Sequence, residues 1–157
     1  MRSISNRALF VFAITAITIF GADNSIGTWN VNLAKSSYTP APMPLKSLSV
    51  VREEAPDGVK ATLTGERTDG SAINASYTAK YDGSPARVTG VGTPYDTISI
   101  KQVDANTFTY EAKQTNGKYR SHGRSVVSKD GKTMTTKARG TDANGKPMTL
   151  TLVYEKQ

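Results

Sequence analysis

From Gly27 onward the chain alternates apolar and polar residues with a period of two, in short runs that each end at a turn signal. Ile73, Ala75, Tyr77, Ala79 and Tyr81 alternate with Asn74, Ser76, Thr78 and Lys80. Val59, Ala61, Leu63 and Gly65 alternate with Lys60, Thr62, Thr64 and Glu66, and Thr68-Asp69-Gly70 separates the two runs. Successive side chains of a strand point to opposite faces, so each run is a strand with one buried face. An Asp-Gly pair between two such runs is a strong hairpin signal. No stretch has a convincing helical period. The feature therefore restricts the chain to antiparallel, all-β architectures.

The first strand opens with Gly27-Thr28-Trp29-Asn30-Val31-Asn32-Leu33, which holds the only tryptophan. Alternation puts Trp29, Val31 and Leu33 on one face. Tyr38 to Lys46 follows, with Pro40, Pro42 and Pro44 forbidding a helix interior and favouring extended polyproline geometry. Further strands are expected over 47–53, 59–67, 73–81, 96–103, 107–113, 118–128, 133–139 and 148–155. Ala86 to Thr89 is an ambiguous short strand, and Gly90 to Pro94 reads as a flexible loop. A closed meander needs an even number for its first and last strands to run antiparallel, so ten strands fit better than nine. The expected fold is an antiparallel up-and-down β-barrel of about 8–10 strands. A two-sheet β-sandwich carries the same pattern and remains the alternative.

Residues 1–22 read differently. Arg2 and Arg7 precede an uncharged run from Ala8 to Phe20, the pattern of a signal peptide cut after Gly21 or Ala22. The run is shorter than the roughly 20 residues that span a bilayer, so no stable membrane insertion is expected once the leader is gone. This reading leaves one domain, 23–157, exported to the periplasm or beyond. The chain has no cysteine, so its stability must come from burial and sheet hydrogen bonds. The net charge is +7, which falls to +5 without the two leader arginines. The basic residues of the domain sit singly between Thr and Ser rather than in a run interleaved with aromatics. A solvated surface is the better reading, and nucleic acid is not expected as a partner. A weak preference for anionic partners such as lipid headgroups or cell-wall polymers is compatible with the charge.

Catalytic and metal chemistry find little support. His122 is the only histidine, and without cysteines it cannot anchor a typical zinc set. No Gly-x-Ser-x-Gly motif is present, and Gly90-Val91-Gly92 lacks the helix and lysine of a phosphate cradle. Asp57, Asp69, Asp82 and Asp130 each precede a glycine and serve turns. No cofactor is expected. The informative pattern is on the apolar faces, where the small residues Ala61, Gly65, Ala75, Ala79, Ala112 and Gly123 share space with Tyr77, Tyr81 and Tyr110. Small residues leave room and tyrosines offer a flat apolar face with a polar tip, so these faces either line a cavity or pack a narrow barrel solid.

Gly-x-Trp at the start of the first strand resembles the opening motif of lipocalins and related calycin barrels, and Val153-Tyr154-Glu155-Lys156 resembles the final strand of the fatty-acid-binding branch. The whole domain also resembles small secreted bacterial proteins of unassigned function that share the Gly-Thr-Trp start, the Lys35 to Tyr38 step and the Lys129 to Met134 turn. The calycin resemblance implies a Trp29 plug at one end, crossed in lipocalins by an arginine of the last strand. Met148 to Glu155 carries no arginine, and Arg139 is the nearest substitute. The resemblance also implies a small hydrophobic or amphipathic ligand held by a monomer. Trp29 would close the barrel, Tyr77, Tyr81 and Tyr110 would line it, and Arg124 or Arg139 would pair with a headgroup. The competing reading is a cell-envelope interaction protein with a solid core, its contacts made by the loops 38–46 and 90–95. An enzyme is disfavoured.

Overall fold

The computed structural model describes residues 22–157, so the leader falls almost wholly outside them. Twelve strand segments account for most of the described chain: β1 Gly27–Val31, β2 Ser37–Thr39, β3 Leu45–Ala55, β4 Gly58–Arg67, β5 Ala72–Lys80, β6 Asp82–Arg87, β7 Thr89–Val91, β8 Thr97–Asp104, β9 Thr107–Lys113, β10 Arg120–Val127, β11 Thr133–Thr141 and β12 Pro147–Lys156. All the pairings are antiparallel, and they run β6–β8–β9–β10–β11–β12–β1–β3–β4–β5–β7.

The two ends of that path are halves of one stretch, 82–91, bent at the buried Val88. Its first half pairs with β8, as in Ala86 opposite Ile98, and its second half pairs with β5, as in Gly90 opposite Ala75. One bent strand thus brings the sheet round into a nearly closed barrel. β1 and β2 are likewise consecutive along one edge of β12, separated by a 3-10 turn over Leu33–Lys35. With each bent pair taken as one strand, ten positions surround the interior. A sheet this nearly closed leaves little exposed edge to aggregate, which suits a chain without disulfides. Ala86 to Thr89 does pair, and the expected loop at Gly90 is partly strand. Leu33 does not continue the first strand: Asn32 caps the 3-10 turn, its side chain accepting from the Lys35 amide at 3.2 Å.

Alternation produces the inside and the outside. On β5, Ile73, Ala75, Tyr77 and Ala79 are buried while Asn74, Thr78 and Lys80 are exposed. The hairpins are pinned by aspartates whose carboxylates accept the backbone N–H two residues on, as Asp69 does from Ser71, Asp104 from Asn106 and Asp130 from Lys132. At Gly131 this turn needs a φ of +71°, a conformation glycine adopts without strain.

The barrel has two unlike ends. At the base, Trp29 is fully buried and its indole N–H donates to the Ser25 carbonyl at 2.8 Å. Lys156 lies over the ring, its Nζ 5.1 Å from the centroid, because Trp29 and Lys156 are register partners. The last strand extends one residue beyond the expected Glu155, and that residue supplies the cation over Trp29. Arg139 does not. The other end, the mouth, is ringed by the proline segment before β3, the 92–95 loop and the 142–144 turn.

Candidate functional site

Between base and mouth lies an internal cavity of about 380 Å³. Its apolar wall comes from inward positions of strands all round the barrel, among them Leu48, Leu63, Ile73, Ile100, Met134 and Leu152. Six of the seven tyrosines line it: Tyr38, Tyr77, Tyr95, Tyr110, Tyr119 and Tyr154. Tyr95 and Tyr119 stack at 6.0 Å near the mouth. Tyr110 owes its position to Gly123 on the neighbouring strand, where a Cβ would stand 2.7 Å from the tyrosine ring. Burial raises the phenol pKa of Tyr77, Tyr110 and Tyr154 above 10. These groups are therefore neutral hydrogen-bonding hydroxyls in an apolar wall.

Two polar side chains distinguish the depth of the cavity. Arg52 enters at the base end and is 9% exposed. Its Nε donates to Ser25 Oγ at 2.9 Å and its Nη2 to the Tyr81 hydroxyl at 3.3 Å, with the guanidinium 5.5 Å from the Phe108 ring centroid. The Tyr81 hydroxyl donates in turn to Asp23, which also accepts from the Ser25 amide and hydroxyl. Burial works against the Arg52 charge, yet nearby Tyr77, Tyr81 and Asp23 outweigh it and leave the pKa above its ordinary value. Ser121 is the contrasting case. It is 4% exposed, and among the described residues its Oγ is the one buried side-chain polar atom with no hydrogen bond of ordinary geometry. Burial raises the phenol pKa of Tyr110 and Tyr119, and the nearby Ser121 hydroxyl works against that rise, so Ser121 lies within polar reach of both without a well-formed hydrogen bond to either.

The expected site residues divide four ways. Tyr77 and Tyr110 line the cavity, while Tyr81 braces its floor by holding Arg52. Trp29 lies below the cavity and plugs the base. Arg124 and Arg139 do not reach the interior, and a headgroup role for them there is corrected. Both are exposed on the outer face because the inward residues of β10 are Ser121, Gly123 and Ser125, and those of β11 are Met134, Thr136 and Ala138. The interior arginine is Arg52, which alternation with Leu48 and Val50 could have found. His122 is also outside, accepting a hydrogen bond from Arg139 Nε at 2.8 Å. Among the described residues no group of three His, Cys, Asp or Glu could hold a metal. No protein-family model matches this chain, and no curated protein matches it in sequence.

Proposed function

We propose that the protein is an exported, non-enzymatic barrel that holds a small amphipathic molecule in its interior. The observation that carries this reading is the cavity itself. Ligand sites are typically mostly apolar hollows of roughly 300–1,000 Å³ with a few placed polar groups. A chain that only needed a solid core would have little reason to leave the buried Ser121 hydroxyl without a well-formed hydrogen bond, since a fully unsatisfied buried hydroxyl costs about 1–3 kcal/mol. A ligand carbonyl or hydroxyl between Ser121 and the Tyr110 and Tyr119 hydroxyls would remove that cost. The calycin resemblance supports the same reading: Lys156 over Trp29 stands where lipocalins set an arginine over the opening tryptophan. Export rests on the leader pattern at 1–22.

The direct test is native mass spectrometry of protein purified from its own host, followed by organic extraction. A co-purifying small molecule names the ligand class. A thermal-shift panel of lipids and hydrophobic dyes is the second arm, because binding to the native state alone adds roughly 2.7 kcal/mol at a hundredfold excess over Kd. Protein that emerges empty and shifts with nothing in the panel counts against the cavity reading and favours a surface-interaction protein.

A further inference from the structure

The cations that lie scattered in the sequence do not lie scattered in space. Antiparallel register aligns Lys101 of β8, Thr109 of β9, Arg124 of β10, Lys137 of β11 and Thr151 of β12 in one row across the outer face. The adjacent row runs Ser99, Glu111, His122, Arg139 and Thr149. All these residues line one open depression of about 780 Å³ on the outside of the barrel. Four cations, Lys101, Arg124, Lys137 and Arg139, share it with one carboxylate, Glu111; the Asp104 carboxylate is not among its lining residues, and its pKa is lowered first by the Asn106 backbone N–H, with Arg124 adding to the effect.

This arrangement is costly for folding alone. Arg124 and Lys137 are direct cross-strand partners, and like charges in that relation are destabilising. The ion pairs found among the described residues, Lys35–Glu155, Lys46–Glu66 and Lys60–Glu53, all lie elsewhere. Adjacent strands are about 4.8 Å apart and alternate residues along a strand about 7 Å apart, so the four charges form a close lattice of donors. The two arginines add planar forks suited to phosphate and carboxylate oxygens.

We infer that this outer face of β8–β12 is a binding site for a linear polyanion, a flexible chain of phosphate or carboxylate groups without bases. Charge complementarity supplies the attraction. Shape selects the occupant: a flexible chain can lie in the depression along the rows, whereas a flat bilayer meets only its rim. Among the described residues the only exposed aromatic ring on the face is the small imidazole of His122, which is held by Arg139 Nε, and Tyr110, which approaches the face, points inward over Gly123, so there is no run of rings on which successive bases could stack. The Thr and Ser hydroxyls between the cations are further donors. This site is separate from the cavity, so either can fail without the other.

The experiment uses purified protein and long-chain inorganic polyphosphate as the probe, with binding followed by fluorescence titration over a salt series. Counterion release at about four contacts predicts an affinity that falls roughly fiftyfold between 50 and 200 mM salt, from a slope of about −0.7 per contact. The double variant Arg124→Gln/Lys137→Gln should lower the affinity at 50 mM salt by at least tenfold and reduce that fall to roughly sevenfold. Both positions are exposed, and an unchanged circular dichroism spectrum verifies the fold. Lys46→Gln/Lys60→Gln, on another part of the barrel, should bind as the parent does. Equal losses in the two double variants would mean general charge attraction and overturn the site. So would an absence of binding at 50 mM salt. Stronger binding to anionic vesicles than to polyphosphate, lost in the Arg124/Lys137 variant, would make the face a membrane surface instead. Stronger binding to single-stranded DNA would make it a nucleic-acid surface.

Discussion

The base and the upper half of the barrel handle buried polarity in opposite ways. At the base every polar group named above has a partner: the Trp29 indole with Ser25, Arg52 with Ser25 and Tyr81, and Tyr81 with Asp23. In the upper half tyrosine hydroxyls face an open volume, and Ser121 has no ordinary partner. A satisfied buried network fixes one structure, whereas an unsatisfied wall has hydrogen-bonding capacity to spare. The base therefore reads as the part that holds the barrel shut, and the upper half as the part that awaits something.

The largest effect expected is alkaline. Tyr77, Tyr119 and Tyr154 are all buried, and burial raises their pKa in the folded protein. Each group's folded pKa lies above its unfolded value near 10, so its contribution is intact below pH 10 and is lost as pH rises toward the folded value. The unfolded chain releases the proton first, and stability should fall by up to roughly 1.4 kcal/mol per pH unit for each such tyrosine. Urea unfolding between pH 9 and 12 measures the slope, while ultraviolet absorption follows phenolate formation. Unfolding and ionisation should coincide. Ionisation near pH 10 with the fold intact would show that water already fills the upper half, and the contrast with the base would then concern access rather than satisfaction.

Next in size is Trp29→Ala. Truncating a fully buried aromatic costs about 3–5 kcal/mol, and here it also frees Lys156 and the Ser25 carbonyl. Urea unfolding should show that loss, whereas Tyr95→Ala at the partly exposed mouth should cost less than half as much. Equal losses would erase the distinction between the two ends. Tyr81→Phe comes third. It removes the hydroxyl that links Arg52 to Asp23 while keeping the ring on Phe108, whose centroid is 5.3 Å away. The expected cost is about 1–3 kcal/mol, since Arg52 and Asp23 each lose one hydrogen-bond partner and keep Ser25. A cost near zero would mean that Arg52 and Asp23 re-pair directly.

Much of this contrast could be read from the chain, and its limits have physical causes. Period-two runs and Asp-Gly turns identify the walls, and the tyrosines on β5 and β9 fall on the inner face by parity alone. Parity also assigns Arg52 to the inside with Leu48 and Val50, but the neighbouring Glu53-Glu54 gives the segment the look of a solvated hairpin end. Arg124 and Arg139 fail for the opposite reason: their parity with His122 places them outside, and only an assumed headgroup role drew them in. Tyr95 and Tyr119 reach the cavity from beside the mouth loops, where no alternation marks direction. The cationic face depends on register across β8–β11. Register is set by turn lengths and bulges such as the shift between Gln102 and Asp104, which composition along the chain does not reveal.

Ser121→Ala should have the smallest effect on the empty protein and the most diagnostic one on binding. A hydroxyl with a made hydrogen bond contributes about 1 kcal/mol, and its loss destabilises. A buried hydroxyl with no bond only carries its desolvation cost, so its removal is neutral or stabilising by up to about 1 kcal/mol. Denaturation of the ligand-free protein should therefore show no loss. The molecule recovered by extraction should bind the variant more weakly, roughly five- to tenfold if it makes one ordinary hydrogen bond to Oγ. A destabilised empty variant would mean that a water or a tyrosine already satisfies Ser121, and the upper half would then be as complete as the base. Unchanged stability with unchanged affinity would leave the cavity's polar contacts to the tyrosines. Tyr110→Phe, which keeps the ring against Gly123 while removing its hydroxyl, would then identify which of them meets the ligand.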